Sequence, residues 1–212
     1  MSYQEAHIVS ELLAELFSSR VRSAVLTLLL PRPHLAFSLT DMSRRLGLPV
    51  SSLQHECYKL ARLGLLHDER RGNTRLYRPN PEWPLLMPLT ALVVGAIPVE
   101  TALAAATEQV EGLESVWVVR SYESEKTTFL VVVGSLDVES LDGVYARSRI
   151  ALELAVDSSQ VELAFFRPID WAKRIASGDA FAASLLGGKR VLPEGTTRDA
   201  RVDRDFATGS PG

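Results

Sequence analysis

The sequence predicts an α+β protein of two parts, an N-terminal winged helix-turn-helix and a small C-terminal α/β domain. Three observations carry this prediction. Residues 39–80 hold two short helical patterns that meet at a Gly-containing turn, followed by a hairpin whose tip is rich in Arg and Asn. From about residue 99 onward, helical and strand patterns alternate, as they do in layered α/β structures. The chain has 212 residues, comfortable for two domains.

Residues 9–30 read as one helix or two in tandem. Leu12, Leu13, Leu16 and Phe17 recur at helical spacing, then Val21, Val25, Leu28 and Leu29. Ser18-Ser19 marks a break with a new N-cap, and Pro31 and Pro33 end the element. Residues 36–39 suit the short first strand of a winged helix. Thr40 or Asp41 is placed to cap a helix running to about Leu46, with Gly47 ending it. Ser51-x-x-Gln54 has the spacing of a capping box. The helix it opens turns Leu53, Cys57, Leu60 and Ala61 toward the core, and Gly64 ends it. Residues 65–70 and 74–78 read as strands around the tip Arg71-Gly72-Asn73. These elements define a first domain over residues 1–82. Residues 83–98, with the apolar run 85–94, are expected to form a connecting helix buried at a subunit or domain contact.

A second domain is expected over residues 99–192. A helix at 99–111 precedes strands at 115–119 and 128–133. The second of these is nearly all apolar and so central in its sheet. A helix at 138–154, a strand at 161–166, a helix at 169–185 and a short strand at 189–192 follow. Residues 193–212 are polar and Gly-containing, the composition of a disordered tail.

Composition narrows the function classes. Apolar residues make up 46% and charged residues 23%, the profile of a soluble globular protein. No stretch reaches the roughly 18–20 apolar residues of a membrane span. The longest candidate, 85–99, is broken by Pro88, Thr90, Gly95 and Pro98. The N-terminus carries Glu5 and His7 without a basic run before an apolar core, so no secretory leader is expected. The single cysteine, Cys57, excludes an intramolecular disulfide and fits a reducing cytoplasm.

The net charge of −3 hides an asymmetry. Between Asp41 and Asn80, Arg44, Arg45, Lys59, Arg62, Arg70, Arg71, Arg75 and Arg78 stand against four acids, a net of +4 that leaves −7 for the rest. A basic island on an acidic chain points to a polyanion. In a winged helix the second helix enters the DNA major groove by its first turn. Ser51, Ser52, Gln54 and His55 sit there, and the Gln54 amide is suited to adenine. Tyr58, Lys59 and Arg62 suit backbone contacts further along. Arg70, Arg71, Asn73 and Arg75 can reach phosphates or the minor groove from the hairpin, and Arg44 and Arg45 can anchor the flank.

The runs Leu16-Phe17-Ser18-Ser19-Arg20-Val21-Arg22, Leu39 to Leu46, Leu60-Ala61-Arg62-Leu63-Gly64-Leu65 and Arg71-Gly72-Asn73-Thr74-Arg75-Leu76-Tyr77-Arg78 resemble ArsR-like winged-helix transcription regulators, in order and spacing, over about residues 10–82. The resemblance implies a homodimer formed by the first helix and by elements after the hairpin. It does not imply metal sensing, because metal-sensing members use Cys and His clusters and this chain has one Cys and four scattered His. His55 and His67 are read as DNA-facing or surface residues, and Cys57 as packing.

Trp117-Val118-Val119-Arg120-Ser121-Tyr122, the strand that follows and Val161-Glu162-Leu163 resemble, less closely than the first match, a small nucleotidyltransferase domain over about residues 99–192. In active members the first strand ends in Gly-Ser, and two aspartates one residue apart on the second strand hold divalent metal with a third carboxylate. Here the glycine position is Arg120 and Ser121 remains; the aspartate positions align with Thr127 and Phe129, and Glu162 stands at the third. The resemblance therefore implies a degenerate nucleotidyltransferase-like scaffold without catalysis. Its expected roles are dimerisation or effector binding, with Arg120, Ser121 and Lys126 positioned for a small anion or nucleotide.

The expected protein is thus a cytoplasmic, non-enzymatic transcription regulator. Its partners are double-stranded DNA, a second copy and a small anionic or nucleotide effector, with no membrane, cofactor or metal. Two other readings stay open: a nucleotidyltransferase with a nucleic-acid-binding arm, and a winged-helix protein-interaction module. Leu186-Gly187-Gly188-Lys189-Arg190 lacks the spacing of a phosphate-binding loop, and no H-E-x-x-H or C-x-x-C occurs.

Overall fold

The structure, a computed structural model, describes residues 11–120, 127–155, 160–180, 182–183 and 189–190. It is a mixed α+β fold with two small sheets. The chain forms two compact units, one of Met1–Glu108 with Ala146–Ser158, the other of Gln109–Tyr145 with Ser159–Gly212. The expected boundary at 83–98 falls inside the first unit. The expected tail at 193–212 lies outside the described residues.

The first unit begins with α1 (residues 11–16) and α2 (Arg20–Leu29). The expected break lies between them. Ser18 takes a left-handed φ of 52°, and Ser19 caps α2 by accepting from Arg22 N. Then come β1 (Phe37–Ser38), α3 (Leu39–Leu46) and α4 (Val50–Arg62). The hairpin is β2 (Leu66–Arg71) and β3 (Thr74–Pro79), and β1 joins it to make an antiparallel sheet in the order β1-β3-β2. Two helices follow, α5 (Leu86–Gly95) and α6 (Val99–Thr107).

Two caps differ from expectation. Ser38, not Thr40 or Asp41, caps α3: its hydroxyl accepts from Asp41 N at 3.1 Å and donates to Asp41 Oδ2 at 2.6 Å. Ser51 does not cap α4. Pro49 fills that position with φ −60°, and its carbonyl accepts from Ser52 N and Leu53 N, so the helix is already running at Ser51. Ser51-x-x-Gln54 is therefore first-turn surface and not a capping box.

One core holds these elements together. Leu53, Cys57 and Leu60 of α4 are buried with Val25, Leu26 and Leu29 of α2 and Tyr77 of β3. Cys57 Sγ lies 3.8 Å from Met42 Sδ, and burial pushes the Cys57 thiol up to about 12, with the Glu56 charge adding to it. The thiol stays protonated and packs. Residues 83–98 do not merely connect, since Leu86 and Val93 of α5 join this same core. The other side of α5 leaves Met87 and Leu92 exposed.

Glu56 is buried on the core side of α4. Arg22 Nε of α2 meets Glu56 Oε1 at 2.6 Å, and Arg22 Nη1 donates to Phe17 O. A carboxylate here is tolerable only with its cation, because removing one partner strands a desolvated charge.

The second unit is a four-stranded sheet, ordered β6-β5-β4-β7, of β4 (Leu113–Arg120), β5 (Thr127–Gly134), β6 (Gln160–Phe166) and β7 (Lys189–Arg190). β5 is central, as its apolar run predicts. β4 and β5 pair antiparallel, β5 and β6 parallel, and α7 (Val138–Ala155) supplies the crossover that a parallel pair requires. Residues 138–145 of α7 belong to the second unit and 146–155 to the first. Gly112 and Gly134 pin the end of the β4–β5 pair. A Cβ at Gly112 would meet Ser135 O at 2.5 Å, and one at Gly134 would meet Gly112 O at 2.5 Å.

The helix expected at 169–185 ends early. α8 (Pro168–Ala176) stops at Ser177 and the left-handed Gly178, and Asp179 Oδ1 then accepts from Ala182 N to open a new turn. Likewise α6 stops at Thr107 where a helix to 111 was expected, because Gln109 takes φ 56°. Among the described residues no helix is long and apolar enough to cross a membrane.

Two stability outcomes follow. Arg22→Met should cost about 2–3 kcal/mol, less than the roughly 3–5 kcal/mol of a fully buried pair because Arg22 is one-third exposed. The double change Arg22→Met/Glu56→Leu should recover most of the loss in urea unfolding. In the second unit, the buried Thr128 hydroxyl has no hydrogen-bond partner among the described residues. Thr128→Val is therefore expected to be neutral or to stabilise by about 1 kcal/mol, the desolvation cost of an unpaired hydroxyl.

Candidate nucleic-acid interface

Burial of one face of α4 leaves the other free. Ser51, Gln54, His55, Tyr58, Lys59 and Arg62 are all exposed, and their spacing of three and four residues aligns them along one side of the helix. Ser52 is half-buried at the edge of this face. Among the described residues, Lys59 and Arg62 form no ion pair. These seven positions are the residues expected from sequence to meet DNA on the second helix, and the fold brings them together.

The hairpin is less uniform. Its register pairs Arg70 with Arg75 and Asp68 with Tyr77 on one face, and Arg71 with Thr74, Glu69 with Leu76 and His67 with Arg78 on the other. The cations therefore project from both faces around the two-residue loop Gly72-Asn73. Two of them have partners within the hairpin. Arg71 Nε lies 3.0 Å from Glu69 Oε1, and Arg75 Nε lies 3.1 Å from Asp68 Oδ2. The Tyr77 hydroxyl, and then Asp68, raise the Arg75 guanidinium further above its usual value. Arg70 and Arg78 are exposed without an ion pair among the described residues.

Arg44 and Arg45, adjacent on the last turn of α3, have separate fates. Arg44 is exposed with Asp41 3.6 Å away. Arg45 is turned inward: its guanidinium stacks 5.1 Å from the Phe37 ring centroid, and its Nη1 lies 2.7 Å from Glu108 Oε1. Expected as a flank anchor, Arg45 is held by a carboxylate 63 residues away in sequence.

Glu108 is the centre of a cluster that the sequence does not disclose. Arg32 Nε donates to its Oε2 at 2.6 Å, and Arg32 Nη1 to Leu28 O. His34 Nε2 lies 2.8 Å from the Glu108 carbonyl and so carries the proton of that hydrogen bond. Nearby, Arg147 Nε donates to Ala106 O. Burial pushes the Glu108 carboxyl up, but the two guanidiniums donating to it outweigh burial and leave it below the usual glutamate value. Burial lowers His34, and the Glu108 carbonyl reverses only part of that effect. Burial takes Arg147 down to about 10, still charged at neutral pH.

The residues expected to hold an effector fare differently. Arg120 ends β4, but its side chain, Ser121 and Lys126 lie outside the described residues. Thr127 and Phe129, the positions expected from sequence to correspond to metal-binding aspartates, lie on β5. Glu162 on β6 registers beside Phe129 and accepts from Gln160 Nε2 at 3.0 Å. Among the described residues no group of three His, Cys, Asp or Glu side chains is arranged to hold a metal ion. No family model, curated protein or solved structure matches this chain.

The charge cluster gives unfolding a definite pH dependence. Glu108 contributes its full stabilisation above its ordinary value of 4.5 and loses it as pH falls through the lower folded value. His34 acts in the same direction at higher pH, because the unfolded chain takes up a proton near 6.5 before the folded chain does. Resistance to urea should therefore fall progressively below pH 6.5. Glu108→Gln should flatten the part below about pH 4.5, and His34→Gln the part above it.

Proposed function

We propose that the first unit is a winged helix-turn-helix and that the protein is a sequence-specific DNA-binding transcription regulator. In this reading α4 enters the major groove, with Gln54 and His55 at base edges and Tyr58, Lys59 and Arg62 on the backbone. Arg44, Arg70 and Arg78 grip flanking phosphates from α3 and the hairpin. The observation that carries it is the single exposed polar and basic face of α4, opposite a face locked in the core. A second copy of the chain is the proposed partner, since Leu12 and Leu16 of α1 and Met87 and Leu92 of α5 are large apolar side chains left exposed. The second unit, read as a non-catalytic nucleotidyltransferase-like scaffold, serves dimerisation or effector binding.

The internal pairing of Arg71 and Arg75 favours one rival, a winged helix that contacts protein. Duplex binding separates the two. Fluorescence anisotropy on genomic fragments is expected to give an affinity that falls steeply with salt. Lys59→Ala and Arg62→Ala should weaken all sequences alike, each lowering the salt slope by about one. Gln54→Ala should change which sequence is preferred. Absence of duplex binding at low salt would overturn the DNA reading and leave the protein-contact reading standing.

A further inference from the structure

Glu108 gathers two arginines that lie far from it in sequence. Arg32 precedes β1, Arg45 lies on the last turn of α3 and Glu108 follows α6, so three separate segments converge on one carboxylate. Each carboxylate oxygen takes one guanidinium, at 2.6 Å and 2.7 Å. Both cations are braced from elsewhere, Arg32 by Leu28 O and Arg45 by the Phe37 ring. Arg45 stays 37% exposed, within reach of an outside anion.

We propose that Arg32 and Arg45 form an oxyanion site that the Glu108 carboxylate fills in this conformation, and that Glu108 thereby withholds Arg45 from a nucleic-acid phosphate. The second half rests on the DNA-binding reading; the first half does not. Phosphate oxygens carry the same charge and accept the same charge-assisted hydrogen bonds as a carboxylate. Arg45 is adjacent to Arg44 on the last turn before α4, so freeing it adds a cation beside the proposed interface. The neighbouring Gln109 has φ 56°, a left-handed conformation that a non-glycine residue keeps only while its surroundings impose it. A change of backbone there is the route by which Glu108 leaves the site.

The test compares wild type, Glu108→Gln and Glu111→Gln. The last removes an exposed carboxylate three residues away and controls for net charge. Circular dichroism checks the fold. In the first arm, inorganic phosphate is titrated against thermal unfolding at constant ionic strength. Phosphate should raise the Tm of Glu108→Gln by several degrees more than that of the other two. An equal response in all three overturns the oxyanion site.

In the second arm, Glu108→Gln should bind unrelated duplexes roughly three- to tenfold more tightly than wild type, with a salt slope steeper by about one. Glu111→Gln should change little. Adding Arg45→Ala to Glu108→Gln should abolish the gain, while Arg45→Ala alone stays close to wild type. A gain that survives Arg45→Ala, or that Glu111→Gln reproduces, overturns the withholding. A phosphate response with no duplex binding by any variant keeps the oxyanion site and removes the DNA reading together with the withholding. Should Glu108→Gln not fold, Arg45→Ala decides, since it leaves the Arg32–Glu108 pair in place. A loss of affinity as large as that of Arg62→Ala means that Arg45 already grips DNA, and the proposal fails; unchanged affinity supports it.

Discussion

The packing of Leu53, Cys57 and Leu60 against α2 is the constraint on which the first unit depends. Each fully buried side chain of this size contributes about 1.5–3 kcal/mol, and together they set the rotation of α4 about its own axis. Apolar contact is non-directional, however, and tolerates small rotations. The Arg22–Glu56 pair is not tolerant. A half-turn of α4 would take Glu56 away from its cation, and a lesser shift would still spoil a 2.6 Å contact. Core and ion pair together fix which side of α4 the solvent sees, and so which side chains any partner meets.

The charges divide into two kinds. On α4 and at several hairpin positions they are free and solvated, where a pair would contribute little. Around Glu108 they are mutually oriented and braced, Arg32 by a backbone carbonyl and Arg45 by an aromatic ring, so geometry matters more than number. Arg45 belongs to the second kind although its neighbour Arg44 belongs to the first. Adjacent positions on a helix point about 100° apart, which is enough to send one guanidinium to solvent and the other to Phe37 and Glu108.

Much of the first unit was legible in the sequence because its signals are local. The break at Ser18-Ser19, the apolar stripe of α4, the helix end at Gly47 and the two-stranded hairpin each depend on residues a few positions apart. The caps were missed by two or three residues because Ser38 and Pro49 compete with equally plausible neighbours. The early end of α8 was available in Ser177-Gly178-Asp179, a helix stop followed by a cap. The Glu108 cluster was not available. Its members are 63 and 76 residues apart, and no spacing rule links Arg32 or Arg45 to a glutamate after α6. The alignment of the α4 site residues follows from helical period, but the pairing of Arg71 and Arg75 follows from strand register, which the residue order leaves undecided until the loop is known.

Cys57 gives the protein an internal clock. Its thiol is wholly enclosed and stays protonated well above physiological pH, so neither peroxide nor an alkylating reagent finds a nucleophile while the first unit is closed. No second sulfhydryl competes for the reagent. With an alkylating reagent in large excess, the rate at which that lone thiol becomes modified therefore counts openings of the α2–α4 core, a native stopwatch for how often the helical pair comes apart.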